Sequence, residues 1–261
     1  MSEHPLRVTT DGAILEVALD IPKANAISAA TSRLMGETFA RFRDDPALRV
    51  AIVTGAGERF FSAGWDLKGA AAGEPPDADY GVGGFGGLQE LPGLNKPVIA
   101  AVNGMAVGGG FELALSCDLI LAAEHARFSL PEIRAGTLAD AATIKLPRRI
   151  PYHVAMDMLL TGRWMEAAEA ERWGLVREIV PAAGLMQRAR ELASLLAAGP
   201  PLVFAAIKEV ARESEATPFR EAIAQVMRRG FPTVATLYAS EDQREGARAF
   251  AEKRDPAWTG R

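Results

Sequence analysis

An α/β chain with a helical C-terminal extension is expected from three features of the sequence. Short strand-like runs alternate with helical ones up to about residue 130, the breaks between them fall at Gly, Asn, Asp and Pro, and beyond that point the pattern turns almost entirely helical. The last strand-like run in the helical half is Val176 to Val180.

The first two runs, within residues 6–20, flank Asp11-Gly12, a dipeptide suited to the positive φ angles of a tight hairpin turn. Ser28 to Arg43 carries Leu34, Met35, Thr38, Phe39 and Phe42 at helical spacing and is broken by Asp44-Asp45-Pro46, which predicts an amphipathic helix. Val50 to Thr54 reads as a buried strand, Lys96 to Val102 as another, Gly110 to Ser116 as a helix, and Asp118 to Ala123 as a further strand. Between Gly69 and Gly93, Pro and Gly clusters such as EPPDADYGVGGFGG predict a long excursion, and loops of that length are often functional or mobile. Helices are then expected over Tyr152 to Thr161, Glu166 to Trp173, Leu185 to Ala198, Pro201 to Glu215 and Pro218 to Arg229. Gly199-Pro200-Pro201 marks the boundary between core and extension.

With 261 residues, 49% hydrophobic and 24% charged, the chain can bury a full core without staples, and disordered or collagen-like behaviour is excluded. Its 29 basic and 33 acidic residues leave a net charge of −4, which argues against nucleic-acid binding by bulk electrostatics. A single cysteine, Cys117, makes no intrachain disulfide and no cysteine-rich zinc site, and fits a reducing compartment. The opening MSEHPLRV lacks the charged-then-apolar pattern of a signal peptide, and the uncharged stretch Pro97 to Phe111 is short and interrupted by Asn103 and glycines. A cytoplasmic protein that neither enters a membrane nor binds nucleic acid is therefore expected.

Several common sites are disfavoured: HExxH and GxSxG are absent, and the Gly-rich loops GAGERFFSAG and NGMAVGGG contain neither GxxxxGK[ST] nor a GxGxxG placed after a strand with an acidic residue about 20 positions on. What remains is Gly108-Gly109-Gly110-Phe111-Glu112, a glycine run that opens a helix carrying one carboxylate in an apolar segment. Glycines there let a substrate approach the backbone, and N–H groups at a helix start can hold a developing negative oxygen. A second carboxylate, Glu132, follows Pro131 after the strand-like ARFSL. Two glutamates at loop–helix junctions can flank one small site as acid and base, although spacing alone does not bring them together.

The run KPVIAAVNGMAVGGGFELALSCDLILAAEHARFSLPEIRAGT, with FFSAGWDLK before it, resembles the enoyl-CoA hydratase/isomerase (crotonase) superfamily. PKANAI, GLVREIVP and AFAEKRDPAW fall in family order, so the likeness covers almost the whole chain. It is strongest to the branch that interconverts carnitinyl-CoA and crotonobetainyl-CoA. The resemblance implies a crotonase-type spiral of β-β-α units over residues 1–199 holding the acyl-CoA site, with 200–261 forming a helical trimerisation region. A homotrimer or a dimer of trimers is implied, as is a coenzyme A thioester substrate with no permanently bound cofactor and no metal.

Carried over by motif, the resemblance places an oxyanion hole at the backbone N–H groups of Trp65 and Gly109. Glu112 would handle the water or leaving hydroxyl at the β-carbon, and Glu132 the α-proton. Lys23, Ala26, Ser62, Ala63, Asp66 and Lys68 match segments that cradle coenzyme A. Lys253 matches a lysine near the nucleotide phosphates that a neighbouring subunit often contributes. Trp65, Tyr80, Phe85 and Asp140 are candidates for the acyl or trimethylammonium pocket, in a loop made acidic by Glu74, Asp77 and Asp79. One departure stands out. Where the family usually reads PGxGGxxRL or PDSGGxxRL, this chain has Ala139-Asp140-Ala141-Ala142-Thr143-Ile144-Lys145-Leu146, shorter and without glycine. Reversible hydration of carnitinyl-type acyl-CoA is the expected activity. A short-chain enoyl-CoA hydratase, a double-bond isomerase and a catalytically silent acyl-CoA-binding subunit are the competing expectations.

Overall fold

The computed structural model describes residues 4–71, 73, 75 and 77–261; Glu74 lies outside them. The chain opens with an antiparallel hairpin, β1 (Leu6–Asp11) and β2 (Ile14–Leu19), whose turn places Gly12 at φ +55°. Then come β3 (Ala26–Ile27) and α1 (Ala29–Asp44), the latter capped by Ser28, whose side chain accepts from Thr31 N. Three successive turns follow, each two strands and a helix, with the short β6 added in the first. They are β4 (Val50–Gly55), β5 (Phe60–Ser62), β6 (Gly64–Trp65) and α2 (Leu67–Ala71); β7 (Val98–Val102), β8 (Met105–Val107) and α3 (Gly109–Leu115); and β9 (Leu119–Ala123), β10 (Arg127–Ser129) and α4 (Glu132–Ala135).

The rest of the chain contains α5 (Asp140–Lys145), α6 (Tyr152–Thr161), β11 (Trp164–Glu166), α7 (Ala167–Arg172), β12 (Glu178–Val180), α8 (Leu185–Ala197) and α9 (Pro201–Glu213). Closing it are α10 (Phe219–Met227), α11 (Pro232–Ala239) and α12 (Glu241–Glu252). Among the described residues no single helix is long and apolar enough to cross a membrane.

Each turn sends its first strand to one sheet and its second to another, which is what makes the chain a spiral. The larger sheet runs β1-β2-β4-β7-β9-β12, parallel from β2 onward; the smaller runs β11-β10-β8-β5. Strands covered on both sides should read as unbroken apolar runs. Val50–Gly55 and Val98–Val102 do so, and every residue in both is buried. Phe39, Phe42, Phe61, Phe111 and Phe128 fill the space around them.

Two sequence expectations need correction. β11 is a strand that the sequence reading passes over, because its three residues are specified by pairing with β10 rather than by their own alternation. The helical half continues into α11 and α12, beyond the last helix expected. The Gly-rich excursion is irregular as expected, and over residues 77–93 it is tied to α1. Asp79 O accepts from Arg33 Nη1 at 2.5 Å, Gly86 N donates to Ser32 Oγ at 3.1 Å, and Pro92 O accepts from Arg43 Nη1 at 2.9 Å. A 3-10 turn, Phe85–Gly87, rests on α1 between these ties.

Candidate active site

The site forms where the first turn of α3 meets β6, α4 and α5. Gly108 precedes α3 at φ +54° and ψ −127°, a conformation open in practice only to glycine, and a Cβ there would lie 2.7 Å from Glu132 Oε1. Gly109 admits Phe85 instead: an added Cβ would fall 2.4 Å from Phe85 Cε1. β6 lies alongside, since a Cβ on Gly64 would stand 2.7 Å from Gly109 N. Asp66 N donates to Ile27 O on the β3 side, and because successive N–H groups alternate along a strand, Trp65 N–H points to the opposite edge. The N–H of Gly109 belongs to the first turn of a helix, where intrahelical partners are lacking. The two backbone donors singled out in the sequence thus stand on adjoining elements.

Glu112 is buried, and its carboxylate is held from two directions. Oε1 accepts from Ala142 N at 2.8 Å, and Oε2 from Gln89 Nε2 at 3.3 Å. Burial raises its pKa above the ordinary carboxylate range, while these bonds pull it back down. Glu132 differs. Its Oε2 is buried with no hydrogen-bond partner among the described residues, and burial, with the charges of Glu112 and Asp140, pushes its pKa up to about 7. Both carboxyls are thus raised by burial, and they differ in their partners: Glu112 has two hydrogen-bond donors that oppose the rise, whereas Glu132 Oε2 has none among the described residues, an inequality suited to acid–base chemistry on one substrate.

Asp140 opens α5, exposed, and raises the pKa of both glutamates electrostatically. Phe85 meets Tyr80 edge to face, with centroids 5.4 Å apart and planes at 74°. Trp65, half-buried, pairs with Ile27 across β3 and β6.

The residues matched to the coenzyme A cradle follow β3 and β6 and their flanking loops. Ala26 pairs with Gly64, and Ala63 N donates to Ala24 O at 2.9 Å. The Ser62 hydroxyl is turned inward: it donates to Asn25 O at 2.7 Å and accepts from Gly64 N at 3.0 Å, and the residue is fully buried, so Ser62 braces this wall rather than meeting a ligand, contrary to its expected place in the coenzyme A cradle. Asp66 Oδ1 accepts from Lys68 N at the start of α2. Lys68 and Lys23 are exposed, and Lys23 lines a cleft of about 260 Å³ together with Asn25, Glu58 and Arg59.

Lys253 stands apart at the end of α12. The tail beyond it reaches Arg49, whose Nη2 donates to Trp258 O at 3.1 Å, beside the N-terminal end of β4. The site loops leave the other end of that strand, about 15–20 Å away at ~3.3 Å per residue.

Gln89, Ala142, Ser116 and Lys145 are missed by sequence reasoning. Lys145 Nζ donates to Ser116 Oγ at 2.9 Å, and Ser116 Oγ donates to Glu112 O at 2.8 Å, so α5 is tied to α3 at both ends. Nothing in the one-dimensional pattern marks these residues; their roles arise from the crossing of two helices.

The enoyl-CoA hydratase/isomerase family pattern matches residues 9–261. The chain belongs to that family. It is similar to two proteins named carnitinyl-CoA dehydratase: one from Proteus mirabilis, 55% identical with 98% of each chain covered, and one from Escherichia coli K12, 55% identical with 100% of each covered. Among solved structures it is similar to enoyl-CoA hydratases from Mycobacterium tuberculosis (TM-score 0.89, 37% identity, 98% of this chain and 99% of that one) and Mycobacterium marinum (TM-score 0.89, 39% identity, with the same coverage). The crotonase-type spiral and its C-terminal helical region are thus the architecture of this family, and its chemistry is that of a hydro-lyase acting on coenzyme A thioesters. Among the described residues no cluster of His, Cys, Asp and Glu could hold a metal ion.

Proposed function

We propose that this chain catalyses the reversible dehydration of carnitinyl-CoA to crotonobetainyl-CoA in the cytoplasm. The observation that carries the chemistry is the unequal pair of carboxyls beside two backbone N–H donors. The thioester carbonyl oxygen accepts from the N–H groups of Trp65 and Gly109, which stabilise negative charge as the enolate develops. In hydration, Glu112, held as a carboxylate by Ala142 and Gln89, takes a proton from water as its oxygen adds to the β-carbon. Glu132, protonated near neutrality, delivers its proton to the α-carbon. Dehydration runs the same steps in reverse. Glu132 removes the α-proton, and Glu112 protonates the departing hydroxyl.

Lys23, Ala26, Ala63, Asp66 and Lys68 line the path for coenzyme A on this reading. Lys253, exposed at the end of α12, serves the nucleotide phosphates of a neighbouring copy in a trimer or dimer of trimers. A generic short-chain enoyl-CoA hydratase is the second reading, supported by the likeness to the two mycobacterial enoyl-CoA hydratases. Loss of ultraviolet absorbance from crotonobetainyl-CoA and crotonyl-CoA, followed side by side, separates them. A clear preference for crotonobetainyl-CoA is expected. Equal or better turnover of crotonyl-CoA would favour the generic enzyme, and no turnover of either would favour a silent binding subunit.

A further inference from the structure

We infer that the corner formed by Tyr80 and Phe85, together with the charge of Asp140 at the start of α5, seats a quaternary ammonium on the acyl chain and so sets which acyl group is accepted. This rests on the carnitinyl-CoA reading and adds the residues that would enforce it. A trimethylammonium group has no N–H to donate, so hydrogen bonds cannot select it. Aromatic faces and diffuse negative charge can.

The geometry gives both. Phe85 packs directly on Gly109, where a Cβ would touch its ring at 2.4 Å, so the ring stands beside the helix start that would receive the thioester carbonyl. The nitrogen of a trimethylammonium on the γ-carbon lies about 5 Å from that carbonyl carbon when the chain is extended, by ordinary bond lengths. Tyr80 lies one ring further out, its centroid 5.4 Å from that of Phe85, and the 74° between the planes makes two walls rather than a stack. The walls are fixed before any ligand arrives, because Asp79, Gly86 and Pro92 are tied to α1. Preorganised aromatics lose little freedom on binding.

Opposite them, the Glu112 carboxylate receives Gln89 from the aromatic segment and Ala142 from α5, so these two elements meet across one side chain. Asp140 lies two residues before Ala142 on the α5 side. Among the described residues no salt bridge joins Glu112, Glu132 or Asp140 to a base. The acyl end of the site thus carries three carboxyls, with Lys145 the one base that reaches Glu112 electrostatically among the described residues, whereas Lys23 and Lys68 are exposed on the coenzyme A side.

The test is the ratio of kcat/KM for crotonobetainyl-CoA to that for its neutral isostere, in which tert-butyl replaces trimethylammonium. The wild-type protein is expected to favour the cation by about 5–30-fold. Tyr80→Leu, Phe85→Leu and Asp140→Asn should each reduce that ratio, and Tyr80→Phe, which keeps the ring face, should preserve it. A wild-type preference left intact in both Tyr80→Leu and Asp140→Asn would overturn the inference while leaving the carnitinyl-CoA reading standing. Wild-type hydration of crotonyl-CoA with none of crotonobetainyl-CoA would overturn both.

Discussion

Replacing Glu132 with glutamine is expected to make the unliganded protein more stable and nearly inactive at the same time. Burial together with Glu112 and Asp140 pushes this carboxyl up to about 7. An unfolded chain would ionise it at about 4.3, and each pKa unit is worth about 1.36 kcal/mol, so the upper bound is roughly 3–4 kcal/mol. Because the side chain is partly exposed, solvent screening reduces the expected effect to about 1–3 kcal/mol. The sign follows from proton counts. Between about pH 4.3 and 7 the folded protein keeps a proton that the unfolded chain has released, so stability falls as pH rises through that window and the loss is complete above it.

Glutamine cannot ionise and escapes this loss. Urea unfolding of wild-type and Glu132→Gln proteins at pH 5 and pH 8 should therefore show the variant gaining about 1–3 kcal/mol relative to wild type across the interval. Any constant cost of placing an amide at Oε2 cancels from the difference, which makes the pH slope the informative quantity. Hydration by the same preparation should fall by about 10²–10⁴. A stability difference that does not change with pH would refute the reasoning about Glu132, and turnover within threefold of wild type would remove it from the chemistry.

Glu112→Gln should also lose about 10²–10⁴ in rate while keeping an acceptor for Ala142 N, whereas Glu112→Ala should additionally cost about 1–3 kcal/mol in a urea melt by leaving that N–H unpaired. Gly109→Ala forces a methyl group into Phe85 and should destabilise by about 1–3 kcal/mol, with Gly109→Ala/Phe85→Leu recovering most of the loss; an undisturbed melting temperature in the single variant would contradict the contact. Lys68→Ala should raise KM for coenzyme A thioesters and leave kcat little changed, and an equal rise with pantetheine thioesters would place the lysine elsewhere than at the phosphates.

The strands and helices that carry their own periodicity were legible in the sequence. α1 declares itself by Met35, Phe39 and Phe42 on one face and by the Asp44-Asp45-Pro46 break, and β4 and β7 by apolar runs too short to be helices. Elements defined by partners were not legible: β11 exists because Arg127, Phe128 and Ser129 pair with it. The same division runs through the candidate site. Gly108, Gly109, Glu112 and Glu132 lie in segments whose spelling is unusual enough to notice, with a glycine run opening a helix and carboxylates among apolar neighbours. Gln89, Ser116 and Lys145 are ordinary polar residues until the fold sets them against Glu112. The docking of residues 77–93 onto α1 was not legible for a related reason. Glycine content signals conformational freedom in isolation, but next to Ser32, Arg33 and Arg43 it permits a close, hydrogen-bonded fit to a helix.

The bond from Ala142 N to Glu112 Oε1 has a consequence for turnover. α5 begins after Ala139, which has no side chain able to cap it, so the acid at the reacting centre also terminates a neighbouring helix. Each cycle carries Glu112 through its charged and neutral forms. A neutral carboxyl still offers a carbonyl lone pair, so Ala142 need not let go when Glu112 takes up a proton from water. The proton can then settle on the oxygen facing Gln89, where the amide can turn to accept it. Catalysis and helix integrity thus draw on different oxygens of one side chain, and the site can cycle without loosening the scaffold that aims it.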